Sequence, residues 1–361
     1  MSVKNRKPVT NWIRIIVGIL QSQSPNLSQI ANSLTMKTKA ESRVRLIRRW
    51  LMNPQVQVWR FYKQVLEHVL SGWSAVETTI ILDGVMVFGD GWQIFRVSLQ
   101  HGCRAIPIAW TIVEGQGLVK VSKLKSLLEK VQKFLKKHVK QATFLADAGF
   151  RDCAWAQLCE NLGWQSAIRV ACNTYLTLAH GASDRLDNLV PVNCNRYFQN
   201  VLLTRAAKLH TNGSVTWTTD KKGEPEMVAI ITNQIACRAR LREYSGRMSI
   251  EQSFRADKSG GFDMEHTRLQ HAERIDHLLL AIAIATLWCH ELGEFVLKQD
   301  DPSRCQVDPA HKRTLSLFQL GLRWLKPALA TGVHFLPAFQ AILSNPKLKP
   351  VAIPITLNSN V

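Results

Sequence analysis

The sequence predicts a mixed α/β fold preceded by a helical unit, on three observations. Apolar residues recur at helical spacing as far as residue 73. From Glu77 the pattern changes to three β-rich runs, TTIILDGVMVF, WQIFRVSLQHG and CRAIPIAWTIVE, set apart by short turns at Gly89–Gly91 and Gly102. An amphipathic stretch follows, and then a fourth apolar run that ends at Asp147.

Taken in order, the elements divide the chain into five parts. Residues 1–73 are predicted to form a helical unit. It holds Trp12–Leu20, a short helix after Asn26 (Leu27, Ile30, Ala31, Leu34), and Glu41–Leu51 with Val44, Ile47, Trp50 and Leu51 inward. Residues 77–171 hold the three-stranded meander and a helix over Val121–Val139 that places Leu124, Leu127, Leu128, Val131 and Leu135 on one face. A strand over Gln141–Ala146, a helix over Asp152–Leu162 and a strand over Trp164–Ala171 complete this part. Residues 172–226 are rich in Asn, Thr and Gly with weak alternation, and read as an inserted β-rich lobe. In 227–300 a buried strand resumes (Met227–Thr232), followed by a helix with Glu251 and a long apolar helix over Asp276–Leu297. Residues 301–361 form a helical segment and, from Asn345, an irregular proline-containing tail.

The net charge of +19 and a pI near 9.9 favour a polyanionic partner, nucleic acid before membrane surface. Residues 1–63 hold twelve Lys or Arg against one acid, Glu41. Arg43, Arg45, Arg48 and Arg49 on the third helix are therefore candidate contacts to DNA phosphates, with a solvated helical face as the competing reading. No membrane partner is expected. The longest apolar run, Leu278–Cys289, is too short to span a bilayer, and no cleavage site follows the basic N-terminus. Eight cysteines without a CxxC pair indicate neither a zinc site nor a disulfide framework, and suit a reducing cytoplasm. Cys153 and Cys159 read as core thiols.

Asp83 follows Thr79–Leu82, and Asp147 follows Thr143–Ala146, each on or at the end of a buried strand. An unpaired buried carboxylate costs several kcal/mol, so neither is there for packing. Asp83-Gly84 can be a hairpin signal, and Asp147 can cap the turn at Gly149. Glu251 adds a third acid within YSGRMSIEQSFRADKS. Together with Tyr244, Arg247 and Lys258 it reads Tyr-x2-Arg-x3-Glu-x6-Lys. No Gly or Pro intervenes between Gly246 and Gly260, so one helix is predicted, with the four positions inside an arc of about 60°. A phenol, a guanidinium, a carboxylate and an ammonium on one face suit a phosphate and a cation bound to it. Strand, meander, helix, strand with Asp, then helix with Glu is the order of a ribonuclease H-like core. Two aspartates and a glutamate so arranged can hold two divalent ions about 3.5–4 Å apart. Hard oxygen donors favour Mg2+, with Mn2+ as a substitute, over zinc.

Through IILDG, FLADAGF and YSGRMSIEQSFRADKSGGF, over about residues 77–292, the chain resembles the DDE transposases of bacterial insertion sequences. More narrowly it resembles the insertion-sequence-four group, whose hallmark is the Tyr-Arg-Glu-Lys signature. The resemblance implies that Asp83, Asp147 and Glu251 are the catalytic metal ligands. It implies that Tyr244, Arg247 and Lys258 grip the transposon-end phosphates; Arg255, near that face, is a further candidate. It implies cut-and-paste transposition, with inverted-repeat ends and target DNA as partners, a homodimer on DNA, and a place at the bacterial nucleoid. The family's β-rich insertion corresponds to about 172–226, and Trp217 is the local candidate for an aromatic that stacks on a flipped base, with a structural tryptophan as the alternative. The chain departs from the pattern at Ala148, where Arg is common and Arg151 is the available substitute, and at Gly84 after the first aspartate.

Two other functions stay open on the sequence: a different ribonuclease H-like nuclease acting on branched or damaged DNA, and a catalytically silent DNA-binding derivative. Asp90 reads as a turn residue. His266, His271 and His277 are spaced five and six apart and do not stack on one helical face, which argues against a metal role. The lysine run from Lys120 to Lys140 reads mainly as a solvated helix face that could add to a DNA footprint.

Overall fold

Four helices open the chain: α1 (Arg6–Ser22), α2 (Leu27–Ser33), α3 (Ala40–Leu51) and α4 (Val58–Val69), one more than the periodicity predicts. In this computed structural model the described residues are 6–71, 73, 76–87, 91–102, 104–220, 222–258, 261–267, 269–298, 307–309 and 313–330. The expected turn at Asp90 and the tail from Asn345 lie outside them. Asn26 starts α2 by accepting the backbone N–H groups of Ser28 and Gln29, which the first helical turn leaves without partners. Trp12, Ile15, Ile19, Ile30, Ile47, Trp50 and Phe61 interlock the helices in the core.

Among the described residues ten strands form one sheet. They are β1 (Glu77–Val87), β2 (Trp92–His101), β3 (Arg104–Glu114), β4 (Gln141–Ala146), β5 (Gln165–Val170), β6 (Tyr175–Thr177), β7 (Ser183–Arg185), β8 (Arg196–Leu203), β9 (Leu209–Thr219) and β10 (Pro225–Thr232). Their order is β3-β2-β1-β4-β5-β10-β9-β8-β6-β7. β1, β2 and β3 are the antiparallel meander, while β4 runs parallel to both β1 and β5. The crossover between β3 and β4 carries α5 (Val121–Leu135), and the one between β4 and β5 carries α6 (Cys153–Asn161). This is the strand and helix order expected from the sequence.

The β-rich stretch is not a detached lobe. Antiparallel β10 pairs with β5 on one side and β9 on the other, so β6 to β9 prolong the central sheet. The cause lies in MVAIIT: Met227 to Ile231 are all buried, and a strand covered on both faces needs a neighbour at each edge. A short helix, α7 (Leu186–Leu189), follows β7.

Alternation along β1 sorts the two faces. Ile80 and Leu82 pack with Phe144, Ala146 and the apolar side of α5 in one cluster. Ile81 packs on the other face with Leu145, Ala167 and Ile230, against Leu241 and Tyr244 of α8 (Arg238–Ser245) and Ile250 and Phe254 of α9 (Met248–Asp257). Asp83, two residues beyond Ile81, shares the α8–α9 face. α10 (Ala272–Lys298) is long and apolar enough to cross a membrane, but 89% of its most apolar window is buried inside the protein, so it is the core helix expected there. His277 on α10 hydrogen-bonds the Leu51 carbonyl at 2.8 Å, a strut to α3. α11 (Leu317–Ala330) packs against α10. The six described cysteines are unpaired, with Cys153 and Cys159 buried.

Candidate active site

The parallel register of β1 and β4 ends with Leu82 beside Ala146, so Asp83 and Asp147 are the next residues on neighbouring strands. Asp83 lies inside β1, because pairing to β2 continues as far as Val87. Asp147 leaves the sheet and caps the 3₁₀ turn Ala148–Phe150, its Oδ1 accepting the Gly149 N–H at 2.8 Å. A Cβ at Gly149 would stand 2.9 Å from that oxygen, so glycine permits the approach. Arg151 donates to the Ala148 carbonyl at 3.2 Å and is exposed.

The single helix predicted for Tyr244 to Lys258 is instead two. α8 ends at Ser245 and α9 begins at Met248. Across the joint the bonds tighten to the 3₁₀ pattern: Arg247 to Tyr244, Ser249 to Gly246 and Ile250 to Arg247, at 3.0–3.1 Å. A Cβ at Gly246 would fall 2.3 Å from Gln100 Oε1, so the joint lies against β2 and a larger residue there would have to displace the end of the Gln100 side chain. Lys258 caps α9 with ψ −132°, past the last helical residue. The four signature residues are therefore not one helical stripe. Tyr244 ends the first helix, Arg247 forms the joint, Glu251 rides the second helix and Lys258 marks where the chain leaves it.

This break aims Arg247 inward. Its Nη1 donates to Asp83 Oδ2 at 3.1 Å and its Nη2 to Glu251 Oε1 at 2.5 Å. The guanidinium is 11% exposed and bridges two of the three acids. Burial pushes the Asp83 carboxyl up to about 6; Arg247 and the Gly84 N–H oppose that, while Asp147 and Glu251 add to it. Asp147 and Glu251 thus both act on Asp83. Burial also pushes the Tyr244 phenol up to about 12, against the pull of Arg247 and Arg169. Burial works against the charge on Arg247, but Tyr244, Asp83 and Glu251 outweigh it and raise its pKa.

Among the described residues no group of three or more His, Cys, Asp or Glu side chains is close enough to hold a metal ion. The guanidinium supplies the countercharge that Asp83 and Glu251 need. The donors nevertheless suit a hard divalent cation. They are carboxylate oxygens, and a cation among them would offset what raises Asp83, burial first and then the charges of Asp147 and Glu251.

α9 is fixed by residues that periodicity does not single out. Arg96, the cross-strand partner of Asp83, forms a buried ion pair with Asp257. It also donates to Ser253 Oγ at 2.9 Å and lies 4.2 Å over the Phe254 ring. Arg104 on β3 bonds Gln252. The available signal was an arginine inside the apolar run WQIFRVSL.

The remaining candidates lie apart from the carboxylates or serve other ends. Arg255 is exposed on α9. Trp217 lies on β9 opposite Met227 and packs, partly buried, against the core. Arg43 is turned to the α2–α3 loop, donating to the Leu34 and Met36 carbonyls at 3.1 Å each. Arg45, Arg48 and Arg49 are exposed on α3.

Residues 120–288 match the family model described as Transposase DDE domain, a span that includes Asp147, Tyr244, Arg247, Glu251 and Lys258 and starts after Asp83. Among solved structures, the cryo-EM structure of piggyBac transposase synaptic complex with hairpin DNA is similar at 10% identity and a TM-score of 0.44, over 92% of this chain and 74% of that one. No curated protein matches the sequence. Over residues 120–288, the part that holds the second aspartate and the whole signature, the chain is similar to the transposase DDE domain.

Proposed function

We propose that the protein is a DNA transposase that cuts at the ends of an insertion sequence and joins the freed 3′ ends to target DNA. The reading rests foremost on one observation: Asp83 and Glu251, from a central strand and a late helix, are drawn to one buried guanidinium, with Asp147 near enough to raise Asp83. The match of residues 120–288 supports it. The finer assignments, to the insertion-sequence-four group, to cut-and-paste movement and to a homodimer on DNA, rest on the family resemblance that the signature residues carry.

Asp83, Asp147 and Glu251 would hold the divalent ions, Mg2+ in this reading. Bound there, such ions activate an attacking hydroxyl and stabilise the leaving oxygen of an in-line displacement at phosphorus. The protein's own part is positional. Arg247 bridges the two carboxylates before DNA arrives, and its planar fork suits a phosphate afterwards. Lys258, at the end of α9, adds a second positive charge on the same strand of DNA. Arg96 and Asp257 keep α9, and so Glu251, at a set distance from β1. The exposed Arg45, Arg48 and Arg49 carry the flanking duplex.

The DNA on either side of this gene tests the class. Short inverted repeats bounded by a direct duplication are expected, and the purified protein should nick DNA at their tips in Mg2+. Cleavage of branched DNA irrespective of those ends would point away from a transposase.

A further inference from the structure

We propose that the groove between α4 and α5 binds a second stretch of duplex DNA through its phosphates, away from the carboxylates. The groove has a volume of about 930 Å3 and is lined by Lys63 on α4, by Lys130 and Lys133 on α5, and by Lys136 and Lys137 in the turn that ends it. One acid, Glu129, shares the lining, and it faces Lys125 at 4.0 Å. Lys63 is 3.3 Å from Glu67. Lys133, Lys136 and Lys137 are exposed and form no ion pair among the described residues. The floor is aromatic and rigid: Trp59 meets Phe134 edge-on at 5.7 Å, Phe134 meets His138 at 4.6 Å, and Lys130 sits 5.7 Å over Trp59.

The sequence shows the lysine run only as one face of an amphipathic helix. The fold adds the opposite wall, α4, and makes the face concave. It also fixes the position relative to the carboxylates. α5 packs with Ile80 and Leu82 on one face of the sheet, whereas Arg247 and Glu251 lie with Ile81 on the other. Lys140, just after α5, pairs with Glu77 at the first residue of β1. Asp83 is six residues further along that strand, roughly 20 Å at about 3.3 Å per residue. α5 and the helices that carry Arg247 and Glu251 cover opposite faces of the sheet, so DNA lying in the groove is not the segment held over Asp83 at the same point.

Closely set ammonium groups with few acids suit a polyanion, and the +19 net charge favours DNA over an acidic protein. The choice of DNA rests on the function proposed above, but the groove does not need the cutting chemistry. A chain that bound DNA without cleaving it would use it equally.

The experiment is the salt dependence of binding to a 40-base-pair duplex of arbitrary sequence, from 50 to 200 mM salt, for the full chain. Removing one ammonium–phosphate pairing should make the slope of log K against log salt shallower by about 0.9. The triple variant Lys133→Gln, Lys136→Gln, Lys137→Gln is expected to make it shallower by roughly 2–3 and to weaken low-salt binding at least tenfold. A control variant, Arg196→Gln, Lys208→Gln, Lys222→Gln, removes the same charge from exposed sites elsewhere and should change the slope by less than about 0.9. An unchanged slope in the groove variant overturns the proposal and leaves an acidic protein as the groove's occupant. An equal change in both variants also overturns it, since net charge alone would then be responsible. Absence of DNA cleavage by the parent protein, with the slope change intact, would count against the carboxylate reading and not against the groove.

Discussion

Arg96 on β2 and Asp257 at the end of α9 form an ion pair whose side chains are 5% and 3% exposed. Arg96 is also the cross-strand neighbour of Asp83, so one residue touches the strand that carries the first acid and the helix that carries the third. Breaking one half of a buried pair leaves an uncompensated charge, which costs about 3–5 kcal/mol. Arg96→Met and Asp257→Leu alone should each lower the unfolding free energy by about that much in urea titrations. The double variant should recover most of the loss, because a well-packed apolar pair substitutes for a buried ion pair. Additive losses in the double variant would mean that the two residues do not act as a pair.

Arg247 holds Asp83 and Glu251 where a cation would be held. Arg247→Gln removes that competing charge. Mn2+ binding to the DNA-free protein, followed by electron paramagnetic resonance, should tighten about tenfold, equivalent to ~1.4 kcal/mol. Binding to end-containing duplexes should weaken in the same variant. Weaker Mn2+ binding would show instead that Arg247 assists the ligands before DNA arrives.

Asp83 sets a pH dependence. Its folded pKa, about 6, is above its ordinary value of 3.8, so the fold favours the protonated form. The stability that this group contributes is therefore complete below about pH 3.8 and is lost as pH rises through 6. Asp83→Asn should match the parent near pH 4 and be more stable than it by about 1–3 kcal/mol at pH 7 without metal. Thermal melts across that range read the difference directly. A variant equally stable at both pH values would remove the case for a destabilised Asp83.

The arginines of α3 divide by partner. Arg43→Ala removes two bonds to the α2–α3 loop and should cost about 1–3 kcal/mol of stability. Replacing Arg45, Arg48 and Arg49 together by Ser should change stability by no more than about 0.5 kcal/mol per substitution while weakening DNA binding. The same melts and a binding isotherm separate the two outcomes, and a large stability loss in the triple variant would contradict the division.

Much of the fold could be read from periodicity, because β1 to β5 and their crossovers are amphipathic or apolar segments bounded by turns. The candidate acids were legible for a related reason: a carboxylate that follows IIL or FLA has no packing role. Three features were hidden. The break at Gly246 falls where the joint lies against Gln100, a residue far away in sequence. The union of the insertion with the sheet depends on β10 having two unsatisfied edges, which pairing reveals and alternation does not. The Arg96–Asp257 pair joins residues from elements whose packing no local pattern encodes. Trp217 illustrates the reverse: a residue type suited to stacking on a base is partly buried against the core.

In the proposed function Asp83, Asp147 and Glu251 act together on DNA strands. This joint action is tested most directly by strand cleavage, in Mg2+, of duplexes bearing the inverted repeats that flank this gene, with the parent and with Asp83→Asn, Asp147→Asn and Glu251→Gln compared at matched DNA occupancy. Cleavage at the repeat tips is expected from the parent alone, lowered at least a thousandfold (about 4 kcal/mol of barrier) in each variant. Cleavage at the parental rate by any one of the three would contradict the claim.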